Sequence, residues 1–174
     1  MRYLMSLLAV AVLSAPALAQ DPGAFGPRQG DWEFTISGSG SNDRDFDSGA
    51  FSVTGDLSHY LTRELSVGLR QDFGWAGGSG DIDDSWTAAS RATVAYHFDL
   101  GQWRPFIGGN IGYKYGRFTK DTGTAGPEAG LKWYVKEETF VFGRVGYDVE
   151  FDEFNELDDN RGTWVYALGV GFNF

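Results

Sequence analysis

Two-residue alternation is the feature that most limits what this chain can become. Between residue 31 and Phe174, large apolar residues occupy every second position in eight segments. These lie at about 31–40, 50–60, 64–75, 86–98, 105–117, 125–136, 139–150 and 162–174. Successive strand side chains point to opposite faces, so each segment has one apolar and one polar face. Helical periodicity wins over no long window. After residue 19, no apolar run reaches the roughly 18 residues a membrane-crossing helix needs. YALGVGFNF (166–174) shows the pattern most plainly: Tyr166, Leu168, Val170, Phe172 and Phe174 alternate with Ala167, Gly169, Gly171 and Asn173. The expected class is all-β.

The first 19 residues, MRYLMSLLAVAVLSAPALA, carry an early Arg2, an apolar run from Leu7 to Leu13, and Ala17-Leu18-Ala19 before Gln20. That is the build of a cleaved secretory signal. Residues 20–29, QDPGAFGPRQ, read as a flexible leader. Residues 30–174 then form one domain. The formal charge is −10, or −11 without Arg2, which gives no electrostatic footprint for nucleic acid. There is no Cys, so order is reached without disulfides. Gly (25 residues) and aromatics (16 %) are both abundant, which suits curved strands with bulky outer faces rather than disorder.

The connections alternate in kind. Short ones fall around Leu61–Arg63, Asp99–Arg104 and Lys136–Glu138. Longer or Gly- and Asp-rich ones fall at 41–49, 76–84, 119–123 and 152–162. This is the plan of an eight-stranded antiparallel up-and-down transmembrane β-barrel. The even strand count would put both termini on the periplasmic side.

In each segment one parity is apolar, as in Trp86, Ala88, Ala92, Val94, Tyr96 and Phe98. The other parity holds Glu33, Asp56, Arg70, Asp72, Arg91, Lys114, Glu128, Lys132, Arg144, Asp148 and Glu150, with Thr35, Ser37, Ser52, Thr54, Thr93, Asn110, Tyr134 and many glycines between. A water-soluble barrel would turn its apolar parity inward. Two features reverse that here. Trp32, Trp75, Trp86, Trp133, Trp164, Tyr96, Tyr115 and Tyr166 sit toward segment ends on the apolar face, as interfacial girdles do. Also, an eight-stranded lumen is only wide enough to be filled by side chains, and large apolar residues from every strand would overfill it. The charges therefore face the lumen, where each base is expected to find acids on neighbouring strands. Arg144→Ala is expected to leave acids uncompensated.

With these faces assigned, the chain resembles the small eight-stranded outer-membrane barrels of Gram-negative bacteria: OmpX, the opacity proteins and the transmembrane domain of OmpA. GDLSHYLTRELSVGLR (55–70), RPFIGGNIGYKYG (104–116), GPEAGLKWYV (126–135), FVFGRVGYDVEF (140–151) and the terminal YALGVGFNF carry the resemblance. It implies residence in the outer membrane, with lipid and lipopolysaccharide as surroundings. It also implies that Tyr166, Leu168, Val170, Phe172 and Phe174 act as the signal read by the barrel-insertion machinery. Unlike OmpA, no peptidoglycan-binding domain follows.

Chemistry is sparse. Of the two histidines, His97 falls on the lumen parity and His59 on the other, both near short turns and without a His-x-Ser pair, so they read as structural. Two histidines offer too few ligands for a metal site, and no cofactor is expected. Asp43, Asp45 and Asp47, Asp81, Asp83 and Asp84, and Asp152, Glu153, Glu156, Asp158 and Asp159 make acidic loops. They read as solvated faces, or as carboxylates sharing divalent cations with outer-leaflet phosphates. The expected function is a non-enzymatic structural or surface role. The alternatives are a small pore for ions or solutes, and adhesion or partner binding through the loops. Nothing in the pattern fixes an oligomeric state.

Overall fold

The computed structural model describes residues 25–42, 48–78, 85–117, 121–151 and 162–174. They form eight strands: β1 (Trp32–Asn42), β2 (Ser48–Tyr60), β3 (Leu65–Gly78), β4 (Ser85–His97), β5 (Trp103–Gly116), β6 (Thr122–Tyr134), β7 (Thr139–Phe151) and β8 (Gly162–Asn173). Each is antiparallel to the next, and β1 pairs with β8 to close an all-β barrel.

Short turns and both ends of the barrel sequence share one end of the barrel, the near end. Trp32 and Phe174 exchange backbone hydrogen bonds there at 2.8 and 2.9 Å. Turn chemistry explains the tight connections. Thr62 Oγ1 accepts from the Glu64 and Leu65 amides at 3.2 and 3.0 Å. Gly101, at φ +75°, takes the left-handed position in the turn before β5. The turn is tighter than the spacing suggests. β5 therefore begins at Trp103, and Arg104 becomes a strand residue.

The apolar parity lies outside in every strand. Aromatic pairs mark both ends of this face: Trp103 stacks on Trp133 (centroids 5.7 Å) at the near end, and Tyr147 meets Trp164 (5.1 Å) at the far end. Polar exceptions satisfy one another, with Ser90 donating to Gln71 Oε1 at 2.7 Å beside the Tyr115 hydroxyl.

One expectation fails at the near end. The lumen there is floored by large rings: Tyr60, Tyr134 and Phe140 are fully buried, and Phe106 and Phe142 nearly so. Glycines on adjacent strands make room for them. A Cβ on Gly130 would strike the Phe106 ring, and one on Gly171 or Gly169 the rings of Phe140 or Phe142. Apolar bulk does not overfill this level because three wall positions carry no side chain. A Gly130→Val barrel is expected to lose about 1–3 kcal/mol by overpacking, measured as a fall in urea midpoint.

Residues 25–29 of the expected leader lie against this floor, and residues 20–24 fall outside the described residues. Phe25 packs on the Tyr134, Phe140 and Phe142 cluster. The Gly26 amide donates to Glu137 O at 2.9 Å. Gly26, at φ +90°, lies against the Arg104 guanidinium, where a side chain would have no space.

Candidate functional site

The lumen is filled by charge arranged in levels. At the floor is Lys132, whose ammonium lies 2.6 Å from both Glu33 oxygens and 3.0 Å from the Tyr60 hydroxyl. Tyr60 and Asn173 also donate to Glu33 Oε2, at 2.9 and 3.1 Å, and Tyr134 donates to Asn173 Oδ1 at 2.7 Å. The Phe140 ring lies 4.8 Å from the same ammonium. Four donors and their acceptors are thus matched beside an aromatic floor, as a buried charge requires.

Beneath this level, Arg104 is fully buried. It donates to Phe25 O at 3.0 Å and to Arg63 O at 3.3 Å, and pairs with Asp99 at 2.8 Å. It ties the N-terminal segment to two near-end turns.

Above the floor, Arg70 is the hub. Its Nε donates to Asp56 at 2.9 Å, and its two Nη groups fork onto Glu128 at 2.7 and 3.0 Å. Arg144 approaches the same Glu128 only through Nε, at 3.9 Å. Higher, Arg91 pairs with Asp72 (3.1 Å) and with Asp148, which also accepts from Asn110 at 3.2 Å. Highest is Lys114 with Glu150, at 2.8 Å, each about one-third exposed.

The structure thus places all eleven charged residues singled out by parity, Glu33 to Glu150, on the lumen face and joins each to an opposite charge. Arg70, Arg91 and Arg144 find the expected acids on neighbouring strands, Asp56, Asp72 and Glu128, but Lys114 and Lys132 do not, and the shortest pairs run across the lumen. Lys132 reaches from β6 to Glu33 on β1, Arg70 from β3 to Glu128 on β6, and Arg91 from β4 to Asp148 on β7. In so narrow a barrel, a long side chain spans the lumen as readily as it reaches the next strand. This also explains how Arg70 and Arg91 sit directly opposite one another in register. Each is neutralised in part from the far wall. Arg144→Ala would leave Glu128 held by Arg70, so the sharper disruption is loss of Arg70.

Arg104 and the ring floor were missed in the sequence. Phe140-Val141-Phe142 is apolar at both parities, and that break in alternation is the signal available. His97 is buried with Nε2 at 3.1 Å from Ser66 Oγ and 3.4 Å from the Tyr60 hydroxyl. No carboxylate orients its Nδ1, which lacks a hydrogen-bond partner among the described residues. Ser66 and His97 are both buried, with the Tyr60 and Phe106 rings 5.3 and 5.4 Å from the imidazole. His59 lies outside, against Trp32 (4.8 Å). The acidic loop residues Asp43 to Asp47, Asp81 to Asp84 and Asp152 to Asp159 lie outside the described residues. Tyr166, Leu168, Val170, Phe172 and Phe174 line the outer face of β8 and its end.

Above the floor remains a cavity of about 480 Å³, lined by Arg70, Arg91, Lys114, Arg144, Asp72 and Asp148 among others. It holds charged side chains of both signs beside small and apolar residues such as Ala88, Ala89, Val165 and Ala167.

A family model, the outer membrane protein beta-barrel domain, matches residues 5–174. The chain belongs to this outer-membrane barrel family. Its place is therefore the outer membrane of a Gram-negative cell, and the exposed apolar belt is the lipid-facing surface. Among solved structures, the N-terminal barrel domain of Pseudomonas aeruginosa OprF is 20 % identical, with TM-score 0.54 over 84 % of this chain and 98 % of that one. OprG from the same organism is 15 % identical, with TM-score 0.57 over 86 % and 98 %. Neisserial surface protein A is 14 % identical, with TM-score 0.55 over 83 % and 96 %. At these identities the likeness is one of fold. No curated protein is significantly similar in sequence.

Proposed function

We propose that this outer-membrane barrel is non-enzymatic and non-conducting, with its near end in the periplasm and its longer loops outside, and that its role is structural or at the cell surface. Orientation follows the short-turn, long-loop rule of such barrels. Lipid and lipopolysaccharide are then its surroundings, and the outer residues of β8 are what the insertion machinery would meet.

The floor carries this reading. Lys132, Glu33, Tyr60, Tyr134, Phe140 and Phe142 fill the lumen wall to wall, and Arg104 with Phe25 closes the level beneath. A continuous wet path is what a pore needs, and the charges along this lumen are paired with one another, Arg70, Arg91 and Lys132 reaching across it. Refolded barrel in a planar bilayer should be electrically silent, with folding verified by heat-dependent gel migration. Discrete, salt-dependent steps that change in Arg70→Ala or Arg144→Ala would show a pore instead, with lumen residues as its filter.

A further inference from the structure

The β1–β8 seam differs from the other seven. It is paired only from Glu33 to Gly38 against Leu168 to Asn173, six residue pairs, where the other seams have ten to thirteen. Among the described residues, no backbone pair joins Ser39–Asn42 of β1 to Gly162–Ala167 of β8, although both stretches remain strands paired on their other sides. Tyr166, above this point, is 70 % exposed, and Leu168, at the last closed pair, is 75 % exposed.

The height of the gap matters. A tilted barrel strand climbs about 2.5 Å per residue along the barrel axis, so the six-residue climb from Phe174 to Leu168 covers about 15 Å of an apolar belt roughly 25 Å tall. The unpaired edge from Ala167 to Trp164 then lies at the depth of the outer leaflet. Open sheet edges are not tolerated against lipid unless they line a wet cavity. Here the β8 edge does. The cavity is lined by Trp164, Val165, Tyr166 and Ala167 of that edge, and by Ser37 and Gly38 of β1 at the last closed pairs below the gap. A polar chamber therefore meets the acyl region sideways.

One base is placed at that junction. Arg144 is the register partner of Ala167, the first β8 residue above the closed part of the seam. Its side chain is 8 % exposed, and its one ion-pair contact among the described residues is the 3.9 Å approach to Glu128. Both oxygens of that carboxylate already accept from Arg70. The remaining guanidinium donors of Arg144 border the cavity. Ala167, the small residue opposite Arg144 on β8, lines the same cavity at the edge of the gap.

We propose that Arg144 and the open upper part of the β1–β8 seam form a binding site for a single-chain amphiphile with an anionic oxygen head, a long-chain carboxylate or phosphate monoester, taken sideways from the outer leaflet. The head pairs with Arg144 in the cavity, the fork geometry of guanidinium suiting either anion. The chain lies in the gap beside Tyr166 and Leu168, between lipid and the strand edges. The site goes beyond the role proposed above and uses only its orientation. It stands whether or not the barrel conducts.

The test is a titration of the refolded barrel in phosphatidylcholine nanodiscs, with laurate, acetate and dodecanol as probes. The readouts are the Arg144 Nε–H resonance, assigned by its loss in Arg144→Lys, and the backbone amides of Gly38 and Ala167. Laurate should move all three at a concentration at least about tenfold below acetate, and dodecanol should leave the Arg144 resonance still. Arg144→Ala should weaken laurate binding about tenfold or more, read on the Gly38 and Ala167 amides, and Arg144→Lys should restore most of it. Equal potency of acetate would mean an anion reaching Arg144 from the mouth, and would overturn the lateral site. Unmoved Arg144, Gly38 and Ala167 signals would overturn it as well, as would unchanged laurate affinity in Arg144→Ala. Arg144→Gln serves in its place if the alanine variant does not refold.

Discussion

An Arg70→Ala barrel should be about 3–5 kcal/mol less stable than the parent, the loss expected when one member of a buried ion cluster is removed. Arg70 holds two carboxylates, one 2.9 Å away and one in a two-pronged fork. Its removal leaves Asp56 with only the Ser58 hydroxyl (2.8 Å), and Glu128 with only the distant Arg144. Urea unfolding from lipid vesicles should show a midpoint lower by about 1 M or more. The triple variant Arg70→Ala, Asp56→Asn, Glu128→Gln should regain much of the loss, because the penalty lies in the orphaned charges. Arg144→Ala should fall well short of Arg70→Ala. A parental midpoint for Arg70→Ala would mean that the lumen charges are satisfied by water rather than by each other.

Glu33→Ala should be comparably severe, at about 3–5 kcal/mol, and more localised. It strands the Lys132 ammonium inside the ring cage and removes the acceptor shared by Tyr60 and Asn173. Asn173 is on β8 and Glu33 on β1, so this carboxylate bridges the strands that close the barrel. Amide exchange should accelerate most between Glu33 and Gly38 and between Leu168 and Asn173. Glu33→Gln, which keeps an acceptor oxygen, should retain most of the seam's protection. Uniform loss across all eight seams would argue that Glu33 contributes to general packing and not to closure.

Much of this molecule is readable from its sequence, for a definite reason. A period of two leaves no freedom in which face a residue takes, so Arg70, Glu128 and Lys132 could be placed inward by counting from Leu69, Ala129 and Leu131. Face is only one coordinate. Height in the lumen and the identity of a partner across it depend on strand stagger, which parity does not contain. That is why parity alone does not match Lys132 with Glu33, on strands five apart in sequence. The same limit hid the floor. Phe140 and Phe142 occupy a charged-looking parity, and become reasonable only once Gly169 and Gly171 are known to stand opposite them. The early end of the β1–β8 pairing leaves no mark on the outer face of β8, which stays apolar at every second residue from Trp164 to Phe174 through open and closed parts alike.

The span of the lumen pairs also bears on how the barrel reaches the bilayer. Arg70 and Glu128 are 58 residues apart, Arg91 and Asp148 are 57, Lys114 and Glu150 are 36, and Lys132 and Glu33 are 99. No single hairpin contains one of these pairs. A hairpin such as β2–β3 brings Asp56 to Arg70, but it still carries charge that only distant strands cancel, as Asp72 and Arg91 need Asp148 for balance, so stepwise insertion meets a barrier. Neutrality arrives only when the sheet curls and its distant parts face each other. Threading and closure are therefore one kinetic event: a half-built barrel is a species the bilayer rejects.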